Sequence, residues 1–387
     1  MSELCTMRKI LPNVDPNEPL VPPRPSCKFG DNCRRSDPWH WCSECHPGDP
    51  DWSGELAPPD LPSSRSVQCP PDSSGSYEWL RTGNSPPERN QRCAVASHTL
   101  LACRAKGYKL DDELGSTVSL RHTDAMVEGT RVVRSAAPGV GKVPCPKLVR
   151  AAEELALDAA LARAKTSKVA VISAASAYHP GGGFRTGGRH ALEEAMCVQT
   201  TLALSLQRAV WLSQRPPQPV EPPERVKQQQ GTRDWFCYIP DNGVVLSPSV
   251  EVFRGSYTTG YRFLPEAVEL AAVVSVAMPN CNPNVRDSPL DAPAKPEDYH
   301  ALLCTKFRAA LTAAAQVGAS IVVTSAVGCG VFRNDSAAIG AALGKAIQAL
   351  PAAHRIQEVV LAGVPPQFLA AVEEQIQQSA LIQQSVV

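Results

Sequence analysis

Two adjacent glutamates, Glu193 and Glu194, follow a run of three glycines in HPGGGFRTGGRHALEEAM, residues 179–196. Carboxylates move protons, and residues without side chains let backbone N–H groups come close to an anion. Gly181, Gly182 and Gly183 come just after KVAVISAAS, a compact apolar run suited to a buried strand. A helix opening near His190 would add the positive end of its dipole at the same place. Adjacent glutamates in a first helical turn ordinarily form a solvated face that complements that dipole. Here they come about one turn into a segment that follows the glycine loop, so a carboxylate would lie beside whatever the loop holds. A second glycine loop, GCGVFRNDSAAIG at 328–340, follows SIVVTSA and leads into another helix, with Asn334 or Asp335 as its N-cap. Two such loops could grip the two sides of one diphosphate, with Phe332 placed to pack on a sugar or in the core. A carboxylate beside that group suits acid–base work on an attached sugar. It could protonate a departing oxygen and then activate water.

A separate cluster, CKFGDNCRRSDPWHWCSECHPGD at 27–49, carries metal-ligating side chains. Cys27 and Cys33, with His40 and His46, supply four donors suited to tetrahedral zinc. Cys42 and Cys45 form a competing pair, and an all-cysteine site is the rival arrangement. A segment this short cannot bury enough apolar area to fold unaided, so metal would provide most of its stability.

The rest of the chain must position these two groups. Lys plus Arg equals Asp plus Glu at 38 each, which excludes a global field for nucleic acid or membranes. The opening residues hold no apolar run of signal-peptide length, so the fourteen cysteines are expected as metal ligands or thiols in a reducing compartment. Proline crowds the first 90 residues and the stretch 215–230. Residues 1–24 read as a disordered lead-in, 25–52 as the metal module, 53–87 as a linker and 88–380 as the globular domain, with 215–230 a surface insertion. The periodicity predicts helices over 88–107, 146–165 and 189–214, a short hairpin over 108–120, and two short strands over 243–254 broken at Pro248. From there strand and helix alternate to the C-terminus, which predicts a sheet with parallel strands and helices on both faces. Ligands of such sheets bind at the carboxyl ends of the strands.

The first stretch resembles the signature of microbial-type poly(ADP-ribose) glycohydrolases, a triple glycine followed after six to eight residues by Gln-Glu-Glu. LSPSVEVFR, SVAMPN, SAVGCGVFRNDSAAIG and the upstream ASHTLLACRAKGYKL follow in family order, so the resemblance spans roughly residues 88–378. It implies a macrodomain-like fold, a three-layer α/β/α arrangement on a mixed sheet with an N-terminal helical extension. It also implies Glu194 as general acid/base and Glu193 as the residue that holds a ribose hydroxyl. Gly181, Gly182, Gly183 and Phe184, with Gly328, Cys329, Gly330, Val331 and Phe332, would cradle diphosphate and distal ribose. No metal is implied for the reaction itself. Leu192 stands where the family has glutamine, and Ser173 and His179 stand where it usually has asparagine.

The metal module is similar to the poly(ADP-ribose)-binding zinc finger, through Phe29-Gly30, Arg34-Arg35, Pro38-Trp39-His40 and His46-Pro47-Gly48-Asp49. This resemblance implies Cys27, Cys33, His40 and His46 as ligands of one structural zinc ion, and Phe29, Arg34 and Arg35 as contacts to ADP-ribose. Arg34 replaces the tyrosine usual after the second cysteine. Two modules thus name one polymer. The expected protein is an intracellular monomer, nuclear or cytoplasmic, that cuts ribose–ribose bonds of poly(ADP-ribose) from the chain end. Its partners would be the polymer and poly(ADP-ribosyl)ated proteins, with no membrane and no direct nucleic-acid binding. A linker of about 35 residues would give the finger a reach of roughly 30–35 Å, raising the local substrate concentration. The alternatives are a non-catalytic ADP-ribose reader and a hydrolase of mono-ADP-ribosylated protein.

Overall fold

Apolar residues on both faces mark the central strands, and each face feeds a different core. Val169 and Val171 enter one cluster while Ala170 and Ile172 enter the other, and the pattern repeats at Val323 and Val322 and at Val360 and Val359. Successive side chains of a strand point to opposite sides, so such a sheet must be covered twice. The computed structural model describes residues 26–28, 33, 45, 60–63, 67, 69–135, 145–214, 219–229, 235–350 and 353–385.

In chain order the elements are α1 (Trp79–Thr82), α2 (Pro86–Arg104), β1 (Gly107–Lys109), β2 (Thr117–Ser119), α3 (Thr123–Gly129), β3 (Arg131–Arg134), β4 (Lys147–Ala151), α4 (Ala156–Ala164) and β5 (Val169–Ala174). They continue with α5 (Leu192–Gln199), α6 (Leu202–Ser213), α7 (Glu224–Lys227), β6 (Gly243–Arg254), β7 (Phe263–Val276), α8 (Pro296–Gln316), β8 (Ile321–Thr324), α9 (Ser336–Gln348), β9 (Glu358–Ala362) and α10 (Pro366–Ser385). The main sheet has seven strands in the order β3-β6-β7-β5-β8-β9-β4. β7, β5, β8, β9 and β4 are parallel, and β6 and β3 join antiparallel at one end. Helices α8, α9 and α10 line one core, and α2, α4, α5 and α6 the other. The mixed three-layer expectation therefore holds. β7, β5 and β8 are neighbours, so the loops leaving their carboxyl ends converge. Among the described residues no helix is long and apolar enough to cross a membrane.

Several local expectations are corrected. The stretch read as one helix over 146–165 is strand β4 followed by α4, because Leu148 and Val149 pair in parallel with Val359 and Val360 of β9. The long helix over 189–214 is two helices. Thr200 is extended and bridges Val252, and its Oγ1 accepts from Leu202 N at 3.1 Å. A β-branched residue with a competing hydroxyl breaks the helix there. The two strands over 243–254 are one. β3 pairs only as far as Leu246, so Pro248 lies where β6 has a free side and needs no N–H. β7 begins at Phe263, earlier than its most apolar part. α3 and β3 were not foreseen.

The linker boundary also moves. Leu80 is fully buried, Cys69 is buried, and Val67, Tyr77 and Trp79 pack on the same core. Arg92 of α2 ties this stretch down, donating to Trp79 O at 3.2 Å, Gly83 O at 3.1 Å and Gly187 O at 3.0 Å. Residues 69–87 are thus part of the globular unit. The insertion is fastened as well: Arg225 of α7 pairs with Asp241, which also faces buried Lys306 of α8 at 3.7 Å. The lead-in 1–24 lies outside the described residues.

Candidate active site

The first glycine loop leaves the carboxyl end of β5 and returns as α5. Gly181 and Gly182 take φ of 77° and 53°, where side chains are strained. That bend turns the loop's N–H groups inward, and each finds an acceptor within the protein. Gly181 N donates to Glu193 Oε1 at 2.8 Å, Gly182 N to His179 O at 3.0 Å and Gly183 N to Glu194 Oε1 at 2.9 Å. Two of the three amides expected to hold a diphosphate instead hold the two carboxylates. A Cβ on Gly182 would sit 2.3 Å from Glu194 Oε1.

Each glutamate accepts a second N–H. Ser176 N donates to Glu193 Oε2 at 2.9 Å, and Ala191 N to Glu194 Oε2 at 3.1 Å. Glu194 thus reaches back to the residue before α5, as the acidic partner of a capping box does. Glu193 is buried, whereas Glu194 is partly exposed. Burial raises the pKa of both, and for Glu193 the adjacent Glu194 charge adds to it; the N–H bonds act the other way. The pair therefore keeps a proton to higher pH than solvated glutamates do.

Leu192, Ser173 and His179 depart from the expected sequence. Leu192, at the first turn of α5, packs against both cores. Ser173 is buried in β5 and its hydroxyl donates to Ala174 O at 3.0 Å. His179 N donates to Ser176 Oγ at 3.0 Å, and its carbonyl closes the turn at Gly182. His190 precedes α5 rather than opening it. Its Nδ1 meets the Tyr261 hydroxyl at 2.9 Å, and burial lowers its pKa to about 3, so the ring is neutral. Phe184, expected as a substrate contact, is 1% exposed and belongs to the core. The turn after Gly183 points its ring inward.

The second loop leaves β8 and differs in its hydrogen bonds. Gly328 has φ of 84°, and a Cβ there would lie 2.6 Å from Met278 Cβ. Asn334 holds the loop closed, its Nδ2 donating to Pro279 O and Gly328 O at 2.9 Å each, while Tyr299 donates to its Oδ1 at 2.8 Å. Asp335 caps α9 by accepting from Ala338 N at 2.7 Å. The carbonyls of Val331 and Phe332 are taken by Asn282 Nδ2 and Cys281 N. Among the described residues, the N–H groups of Gly328, Gly330, Val331 and Phe332 donate to no protein acceptor. Val331 is 59% exposed, and Cys329 and Phe332 are partly so.

A third loop, following β7, was not assigned a role from sequence beyond its motif. Ser288 of this loop meets Ser176 across 3.2 Å between hydroxyls, and buried Asp291 accepts from Tyr178 Oη at 2.7 Å and Asn280 N at 2.6 Å. Asp287 is exposed and adds negative charge beside both glutamates. Ser176 was missed too, although its hydroxyl and N–H together organise the start of the glycine loop. The run of asparagines and prolines over 279–284 was the only sequence signal for this wall.

Residues 96–255 match the family model for the microbial-type PARG catalytic domain. The matched stretch contains the glycine triplet and both glutamates. Among solved structures, the chain is similar to poly(ADP-ribose) glycohydrolase from Thermomonospora curvata, at 26% identity and a TM-score of 0.55, over 74% of this chain and 99% of that one. The same enzyme bound to the inhibitor ADP-HPD matches at 25% identity and a TM-score of 0.53 with the same coverage. No curated protein is a match.

Of the N-terminal metal module, Cys27, Cys33 and Cys45 are described and buried, and Cys27 N donates to Cys45 O at 2.8 Å. Phe29, Arg34, Arg35, His40 and His46 lie outside the described residues. Among the described residues no three metal-ligating side chains come together.

Proposed function

We propose that this chain is a poly(ADP-ribose) glycohydrolase that hydrolyses the ribose–ribose O-glycosidic bond. The observation that carries this reading is the pair of carboxylates fixed by four main-chain N–H groups at the carboxyl end of β5. The open N–H groups of residues 328–332 face the same end of the sheet and suit the diphosphate. Glu194, partly exposed and with a raised pKa, gives its proton to the departing ribose oxygen. The oxocarbenium-like carbon is then attacked by water, from which Glu194 takes back a proton. Glu193 is the buried partner that orients the ribose hydroxyl. Cleavage is terminal and releases ADP-ribose.

The N-terminal module binds the polymer. Cys27, Cys33, His40 and His46 hold its zinc ion, which supplies structure and no step of the reaction. Zinc content measured after Cys33→Ala and after Cys45→Ala tests that ligand set: only the first should lose metal.

The decisive experiment incubates wild-type and Glu194→Gln protein with a poly(ADP-ribosyl)ated acceptor and follows free ADP-ribose. Wild type should release it, and the variant should be slower by about 10²–10⁴-fold. Binding without release by wild type would leave a non-catalytic reader. Equal release by both would remove Glu194 from the acid/base role.

A further inference from the structure

Arg185 lies in the short 3₁₀ turn Phe184–Thr186 that closes the first glycine loop. The turn is built on Gly183. The carbonyl of Gly183 accepts from Thr186 N at 3.2 Å and Gly188 N at 2.8 Å, while its N–H holds Glu194. The side chain of Arg185 leaves this loop. Its Nη2 donates to the backbone carbonyl of Cys33, far earlier in the chain, and the residue is only 5% exposed. The guanidinium also faces the thiols of Cys27 and Cys33 and the guanidinium of Arg104. On the other side of this contact, Ser26 bridges Cys45 in parallel, and all three described cysteines are buried.

A guanidinium offers five N–H donors in a rigid fork, and taking it out of water is costly unless those donors are met. Here the N-terminal segment supplies the Cys33 carbonyl to Nη2, so segment and loop share one buried group. We infer that Arg185 is a positioning residue that docks the cysteine-bearing N-terminal segment onto the catalytic loop and thereby steadies the Gly183 amide that holds Glu194. The segment around Cys27 and Cys33 is then a wall of the loop. Polymer held by it reaches Glu194 along one surface. Only this last consequence rests on the function proposed above.

Amide hydrogen exchange of the full chain tests the docking without any turnover. In Arg185→Ala, peptides covering 26–33 and 181–191 should both exchange about tenfold faster, with the buried strand 169–174 unchanged. Arg185→Lys, which keeps the charge and a donor, should restore both peptides to within about threefold of wild type. Unchanged exchange at 26–33 in Arg185→Ala overturns the inference, as does acceleration confined to one of the two peptides. Should alanine also expose 169–174, the lysine variant decides: near wild-type exchange in both peptides supports the docking, and faster exchange in the loop alone overturns it. A chain that failed to cut polymer would still give these readings.

Discussion

The two glycine loops have similar composition, leave neighbouring parallel strands and enter helices, yet their backbones are used differently. In the first, all three glycine N–H groups are taken by protein acceptors, two of them the glutamate carboxylates. In the second, a side chain, Asn334, closes the turn, and four N–H groups are left without a protein acceptor among the described residues. One loop has already spent its donors on the protein's own carboxylates. The other keeps its donors free of protein acceptors among those residues. Glycine content alone does not say which task a loop performs; the acceptors nearby decide it.

This contrast can be broken by substitution in each loop. The largest effect is expected for Gly182→Ala, which combines positive φ with a Cβ 2.3 Å from Glu194 Oε1. Displacing that carboxylate should lower kcat about 10²-fold with a smaller change in KM, as steady-state kinetics on polymer would show. Gly330→Ala should do the reverse. Its Cβ would enter open space, so the fold tolerates it, and KM should rise about tenfold with kcat little changed. If both variants moved the same constant, the division of labour would be wrong. Leu192→Gln replaces a residue packed on both cores and should cost about 1 kcal/mol in a denaturant titration, with turnover close to wild type.

The smallest effect concerns pH. Burial holds the pKa of Glu194 up, and Asp287 adds to this. As the acid must be protonated, kcat/KM should fall as pH rises through that pKa. Asp287→Asn removes a neighbouring negative charge, so the falling limb should move to lower pH. A limb that stayed in place or moved upward would show that Asp287 does not act on the acid. Stability follows the same sign: with folded-state values raised, the glutamates' contribution is fully present below the unfolded pKa and is lost as pH rises through the folded one.

Much of this was legible before the fold was known. Period-two and continuous apolar runs marked β5, β8 and β9 because strands buried on both faces leave few polar positions. The glutamates and both loops could be located because their chemistry is carried by residue type. What could not be read depends on partners distant in the chain. β4 looked helical until β9 supplied its hydrogen bonds, and α5 and α6 looked continuous until Val252 paired with Thr200. Residues 69–87 looked like linker because Pro, Ser and Gly hide the few side chains, Leu80 among them, that reach the core. Ser176 acts mainly through its backbone and one hydroxyl, and nothing in its type announces that.

Glu194 closes the start of α5 and fastens the glycine loop through its two N–H bonds. A neutral carboxyl accepts such bonds less strongly than a carboxylate. Each proton that Glu194 takes up therefore loosens the clasp that aims it, and each proton it gives tightens the clasp again. The protonation state of one side chain and the order of the loop are thus linked. A relative without a carboxylate at position 194 would need another acceptor there to keep the loop in shape.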